Sequence, residues 1–99
     1  MSDGEPILRS PIFRSLEITN MRGLHARASA KFVQLVSGYD AEVEVEKDGM
    51  KVGGTSIMGL MMLAASPGCS INVSAKGRQA LDVMDALQAL IADKFGEGE

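Results

Sequence analysis

The sequence predicts an α+β protein, an open-faced two-layer sandwich with a four-stranded antiparallel sheet covered on one face by three helices. Three observations lead to it. Ala41, Val43 and Val45 alternate strictly with Glu42, Glu44 and Glu46, so one face of that strand is buried and the other wet, as in an antiparallel sheet with one solvated side. Segments of strand period and helix period follow one another as strand, helix, strand, strand, short helix, strand, long helix. A sheet with one acidic, wet face takes all its helices on the other, which gives two layers.

Each element has its own signal. In the first strand, Phe13 to Ile18, Leu16 and Ile18 share one face and Ser15 and Glu17 the other. The first helix is expected from Ala26 to Ser37, because Ser29, Phe32, Val33 and Val36 recur at helical spacing and make a core face. Arg27, Lys31 and Gln34 lie on a different face. The second strand, Ala41 to Lys47, runs through the hairpin pair Asp48-Gly49 into a short third strand, Met50 to Val52. Gly53-Gly54 permits a sharp entry to a short helix from Ser56 to Leu63. The fourth strand, Ser70 to Ala75, turns Ile71, Val73 and Ala75 inward, and Gly68 and Gly77 mark the loops on either side. The last helix is expected from Gln79 to Phe95, with Ala80, Met84, Leu87 and Ile91 as its apolar stripe, joined by Val83 and Leu90.

The 99 residues fit one domain with a modest core. Its expected span is 12–95, between flexible tails at 1–11, with a glycine, two prolines and mixed charge, and at 96–99, Gly-Glu-Gly-Glu. A hydrophobic content of 45% excludes a disordered chain. A net charge of −3 and a pI of about 5.1 argue against a nucleic-acid partner. Cys69 is the single cysteine, so no internal disulfide forms, and the cytoplasm is the expected compartment. The N-terminus has no basic start and no apolar run, so no secretory leader is expected. No stretch approaches the roughly 20 apolar residues of a membrane span, so no membrane partner is expected either.

The chemistry concentrates at Gly23-Leu24-His25-Ala26-Arg27, which holds the only histidine. Gly23 can take the backbone angles of a tight approach, and strong helix formers begin at Ala26. His25 therefore stands among backbone N–H groups that have no partner inside the helix, and such a helix start attracts anions. An imidazole there could accept a phosphoryl group and have the new charge held by backbone donors. Arg27 could add a forked cationic contact to the same oxygens. A cation at a helix N-terminus costs about 0.3–1 kcal/mol, which is easier to understand if an anion binds beside it. The plainer reading of His25 is a capping or surface histidine. No metal site is expected: there is no second histidine and Cys69 stands in another loop. A Ser-His-Asp arrangement lacks an evident buried carboxylate to orient the ring. Val52-Gly53-Gly54-Thr55-Ser56 lacks the lysine and spacing of a nucleotide loop, and no cofactor is expected.

Gly23-Leu24-His25-Ala26-Arg27 resembles the active-site motif of HPr, the histidine-containing phosphocarrier family of the bacterial phosphotransferase system. Ser56-Ile57-Met58-Gly59-Leu60-Met61 resembles the same family's second signature, around its regulatory serine, at the family's separation from the first. The resemblance covers Phe13 to Lys94 and implies the HPr-like open-faced sandwich. The family usually has proline directly after the arginine, where this chain has Ala28; alanine keeps the helix but loses some rigidity. In this the chain is similar to the branch that works with nitrogen-related partners.

The resemblance implies a carrier rather than an enzyme, a monomer that is a substrate of its partners. His25 would take a phosphoryl group on Nδ1 from enzyme I and pass it to an enzyme IIA. Ala26 and Arg27 would bind the phosphate. The helix N-terminus disfavours positive charge on the ring and keeps it nucleophilic. Ser56 reads as the N-cap of the short helix; the resemblance adds phosphorylation by HPr kinase/phosphorylase. Ala26, Arg27, Ala30, Gln34, Ile57, Met58 and Met61 would form the docking surface, where adaptable thioethers suit a carrier that meets several partners. Met84 is read as core, the Glu42-Glu44-Glu46 row as a solvated face, and Cys69 as a structural or incidental thiol. The alternative function is a regulatory protein-binding module whose phosphorylation state controls its partner.

Overall fold

The structure, a computed structural model, describes residues 10–98. The tail expected at 1–11 falls outside them except for Ser10 and Pro11. Four strands make one sheet: β1 (Ile12–Glu17), β2 (Glu42–Lys47), β3 (Met50–Gly53) and β4 (Ser70–Lys76). Their order is β1-β4-β2-β3, and every neighbouring pair is antiparallel. Three helices, α1 (Ala26–Ser37), α2 (Ile57–Met62) and α3 (Ala80–Ala92), cover one face.

The alternating pattern sets the register. Leu16 pairs with Ile71, Val45 with Val73 and Val43 with Ala75, and all six are buried on the helical side. They meet Phe32 and Val36 of α1, Leu60 of α2, and Val83, Met84, Leu87 and Ile91 of α3. Burying each large side chain stabilises the fold by about 1.5–3 kcal/mol. Asp48 and Gly49 both have positive φ, 53° and 85°, the twist that a two-residue hairpin requires.

The open face is less uniform than a row of solvated glutamates. Glu42 and Glu44 are exposed and form ion pairs with Lys76 at 3.6 Å and Lys51 at 3.8 Å. Glu46 is half-buried. It accepts hydrogen bonds from the Asn72 side chain at 2.8 Å and the Gly49 N–H at 2.6 Å, which hold its carboxyl below the usual range.

The last helix departs from expectation. It does not run on to Phe95 but ends at Ala92. Lys94, Phe95 and Gly96 then all take positive φ, 54°, 55° and 74°. The reversal swings Phe95 into the core, where it is fully buried. Burying the ring outweighs the strain of two left-handed non-glycine residues, about 1–3 kcal/mol each. This turn decides where the chain end lies.

Candidate functional site

The loop between β1 and α1 is held from several directions. The Ile18 N–H donates to the Cys69 carbonyl at 2.8 Å, and the Leu24 N–H to the Ala65 carbonyl at 3.0 Å. Thr19 Oγ1 donates to the Ile91 carbonyl at 2.9 Å, tying the loop to the end of α3. Gly23 has φ +66°, and a Cβ there would lie 2.2 Å from the Ala65 carbonyl oxygen. Only glycine lets these two backbones approach so closely. Asn20 is fully buried and donates from Nδ2 to the Gly23 carbonyl at 2.9 Å.

This anchoring places His25 as the N-cap of α1, with extended backbone angles, φ −74° and ψ −177°. The ring does what a serine or aspartate does at other helix starts: Nδ1 accepts from the Arg27 N–H at 3.2 Å. Nδ1 therefore presents its lone pair to the helix N-terminus. A group bonded to Nδ1 would displace that contact and meet the freed N–H itself. The capping reading and the reactive reading of His25 describe one geometry.

The other ring nitrogen has a partner that sequence reasoning missed. Nε2 contacts Glu97 Oε2. An ionised carboxylate only accepts, so Nε2 carries the proton and donates it, which leaves Nδ1 unprotonated. Glu97 lies in the segment expected as a frayed end, yet its side chain is only 14% exposed. The turn at Lys94–Gly96 brings it there. Buried Phe95 anchors the turn, and Lys31 Nζ donates to the Phe95 carbonyl at 2.5 Å. Asn20 Nδ2 donates to Glu97 Oε1 at 3.1 Å. The available signal was Phe95, an aromatic residue just before the glycines that had to find the core.

Arg22, His25, Arg27, Lys31, Gly96 and Glu97 line an open pocket of about 320 Å³. Three cations around one carboxylate make a locally basic site on an acidic protein. Arg27 and Lys31, one turn apart on α1, were placed on one face by the sequence; Arg22 was not singled out. Burial pushes the Glu97 carboxyl up, but the hydrogen bonds from Asn20 and His25 and the charge of Lys31 outweigh it and leave it below the ordinary 4.5. A lowered carboxyl contributes stability that is present above its ordinary value and lost as pH falls through the folded one. As pH falls below the ordinary 4.5, the wild type should lose more unfolding free energy than Glu97→Gln, read from urea midpoints.

Ser56 is exposed, and its Oγ accepts from the Gly59 N–H at 2.9 Å, capping α2. Leu60 and Leu63 turn into the core, while Ile57, Met58 and Met61 are exposed, Met58 by 73%. Met21 and Met62, not anticipated from sequence, are exposed as well. Ala26, Arg27 and Gln34 are exposed on α1 and Ala30 is half-buried; α1 and α2 pack side by side. Among the described residues no cluster of His, Cys, Asp and Glu could hold a metal ion, and no helix is long and apolar enough to cross a membrane.

Known proteins share this fold. The family profile described as the PTS HPr component phosphorylation site matches residues 12–93. The phosphocarrier protein HPr of Cupriavidus necator is 48% identical over 86 residues, 87% of this chain and 97% of that protein. The phosphocarrier protein NPr of Shewanella violacea is 39% identical over 84 residues, 85% and 92% of the two chains. The crystal structure of HPr-C-His from Thermoanaerobacter tengcongensis superposes with a TM-score of 0.83 at 44% identity, covering 87% of this chain and 97% of that one. The chain belongs to the HPr family, phosphocarriers of the phosphotransferase system. Such a protein carries a phosphoryl group and is not itself a catalyst.

Proposed function

We propose that this protein accepts a phosphoryl group on His25 Nδ1 from enzyme I, charged by phosphoenolpyruvate, and passes it to an enzyme IIA. The observation that carries this reading is the orientation of the ring: Nδ1 accepts from the Arg27 N–H at the start of α1, beside Arg22, Arg27 and Lys31. In the transfer, the Nδ1 lone pair attacks phosphorus and the donor bond breaks. The phosphoryl oxygens take over the Arg27 N–H that Nδ1 releases, and the guanidinium of Arg27 approaches them from the pocket. The Ala26 N–H adds a second orphan donor of the first helical turn. The surface of exposed Ala26, Arg27, Gln34, Ile57, Met58 and Met61 with half-buried Ala30 docks the partners in turn, in the cytoplasm, with the carrier as a monomer of one domain over residues 12–95. Phosphotransfer from labelled phosphoenolpyruvate through an active enzyme I tests this. Acid-labile label on the wild type and none on His25→Ala is expected; label on both, or on neither, overturns it.

Ser56 supports a second, regulatory reading, because its exposed hydroxyl caps α2 next to the docking methionines. Phosphorylation there by an HPr kinase/phosphorylase would put a dianion on the docking surface and weaken enzyme I binding by repulsion and desolvation. Ser56→Asp should accept phosphate from enzyme I more slowly than the wild type, and equal rates would remove this reading. Relatives named HPr and NPr both match, which favours neither a sugar-uptake nor a nitrogen-related pathway.

A further inference from the structure

We infer that Glu97 is a positioning residue for phosphoryl transfer: it holds the proton on His25 Nε2 so that Nδ1 stays the nucleophile and the ring can carry positive charge while phosphorylated. The inference rests on the reading of His25 as the acceptor. Its own basis is the line of contacts Asn20 Nδ2 to Glu97, Glu97 to Nε2, and Nδ1 to the Arg27 N–H. Both ring nitrogens are thereby committed, one to a carboxylate and one to the helix N-terminus.

This commitment is built rather than incidental. Glu97 reaches the ring only because the chain reverses at Lys94–Gly96, with Phe95 buried and Lys31 on the Phe95 carbonyl. Two non-glycine residues adopt left-handed angles there, and such strain persists only where the surrounding structure holds it in place. Fully buried Asn20 then fixes the second carboxylate oxygen.

The chemistry balances without any further proton donor. The Nδ1 lone pair forms the new N–P bond, while the N–P bond of a phosphohistidine donor breaks and its electron pair returns to the donor nitrogen. The His25 ring becomes a phosphoimidazolium that keeps its proton on Nε2, against the Glu97 carboxylate. In onward transfer the N–P pair returns to Nδ1 and leaves the neutral Nε2–H ring. The carboxylate thus opposes a charge that rises and falls at the ring, and no proton moves. Among the described residues, the charged groups facing this site are Arg22, Arg27 and Lys31 together with His25 and Glu97.

The experiment uses the full chain labelled with ¹⁵N-histidine, in which His25 gives the only imidazole signals. Wild type, Glu97→Gln and Glu97→Ala are compared for the Nε2–H proton resonance and for transfer kinetics with enzyme I. The wild-type Nε2–H proton should be shifted downfield and slow to exchange; it should move upfield in Glu97→Gln and be lost to exchange in Glu97→Ala. Turnover should fall by roughly tenfold or more in Glu97→Ala, the size of a charged hydrogen bond, and by less in Glu97→Gln, with KM for the carrier little changed. Unchanged Nε2–H behaviour, or variants that transfer as fast as the wild type or faster, overturns the role of Glu97. That result would leave the carrier reading intact as long as wild type still takes label, whereas failure of wild type to take label strikes the reading of His25 itself.

Discussion

Gly23→Ala is expected to destabilise the fold by roughly 2–4 kcal/mol, from a left-handed non-glycine residue plus a steric displacement. The new methyl carbon would stand 2.2 Å from the Ala65 carbonyl oxygen, which is backbone and has no rotamer to yield. The 18–24 loop or the 65–69 loop must move, and the Leu24 N–H to Ala65 bond goes with it. For a domain of this size each kcal/mol shifts the melting midpoint by about 4–8 °C. The displaced loop also carries His25 away from its place at the start of α1, so transfer should fall together with stability. Urea denaturation and the phosphotransfer assay check both. A variant within about 0.5 kcal/mol of wild type, the range of a neutral surface change, would mean that the close approach at Gly23 does not hold the site.

Phe95→Ala should cost about 3–5 kcal/mol, the price of deleting a fully buried ring and leaving its cavity. The residue is 0% exposed and lies in the same core as Phe32, Met84 and Leu87. A second consequence distinguishes it from an ordinary core deletion. Phe95 anchors the reversal that carries Glu97 to His25, two residues on. Without the ring, the left-handed angles at Lys94 and the following position lose what compensates them, and the chain end should leave the site. Urea midpoints measure the first effect and the His25 Nε2–H resonance the second. A loss under about 1 kcal/mol, well short of the usual cost of such a deletion, would show that the terminal turn contributes little to the fold.

Much of the fold follows from local pattern. The strict alternation over 41–47 fixed both the buried face of β2 and the side that receives the helices. The helical spacing of Ser29, Phe32 and Val36 marked α1 and its buried face. His25 was legible as the helix start because a glycine and a run of helix formers meet there. What periodicity does not contain is contact between distant segments. Glu97 lies 72 residues from His25 along the chain, and nothing local tells a carboxylate in a glycine-rich end apart from a solvated tail. The same holds for Arg22, whose place at the pocket follows from the loop path rather than from any pattern. Gly23 was legible as permissive, but its need to be glycine comes from Ala65, which only the folded chain brings near.

The most direct test of the account is the site of phosphorylation on the ring. Phosphorylating the ¹⁵N-histidine protein and recording ³¹P–¹⁵N coupling assigns the bonded nitrogen without ambiguity, since the chain has one histidine. The account predicts coupling at Nδ1, with the proton retained on Nε2. Coupling at Nε2, or a phosphoryl group on any residue other than His25, would contradict it.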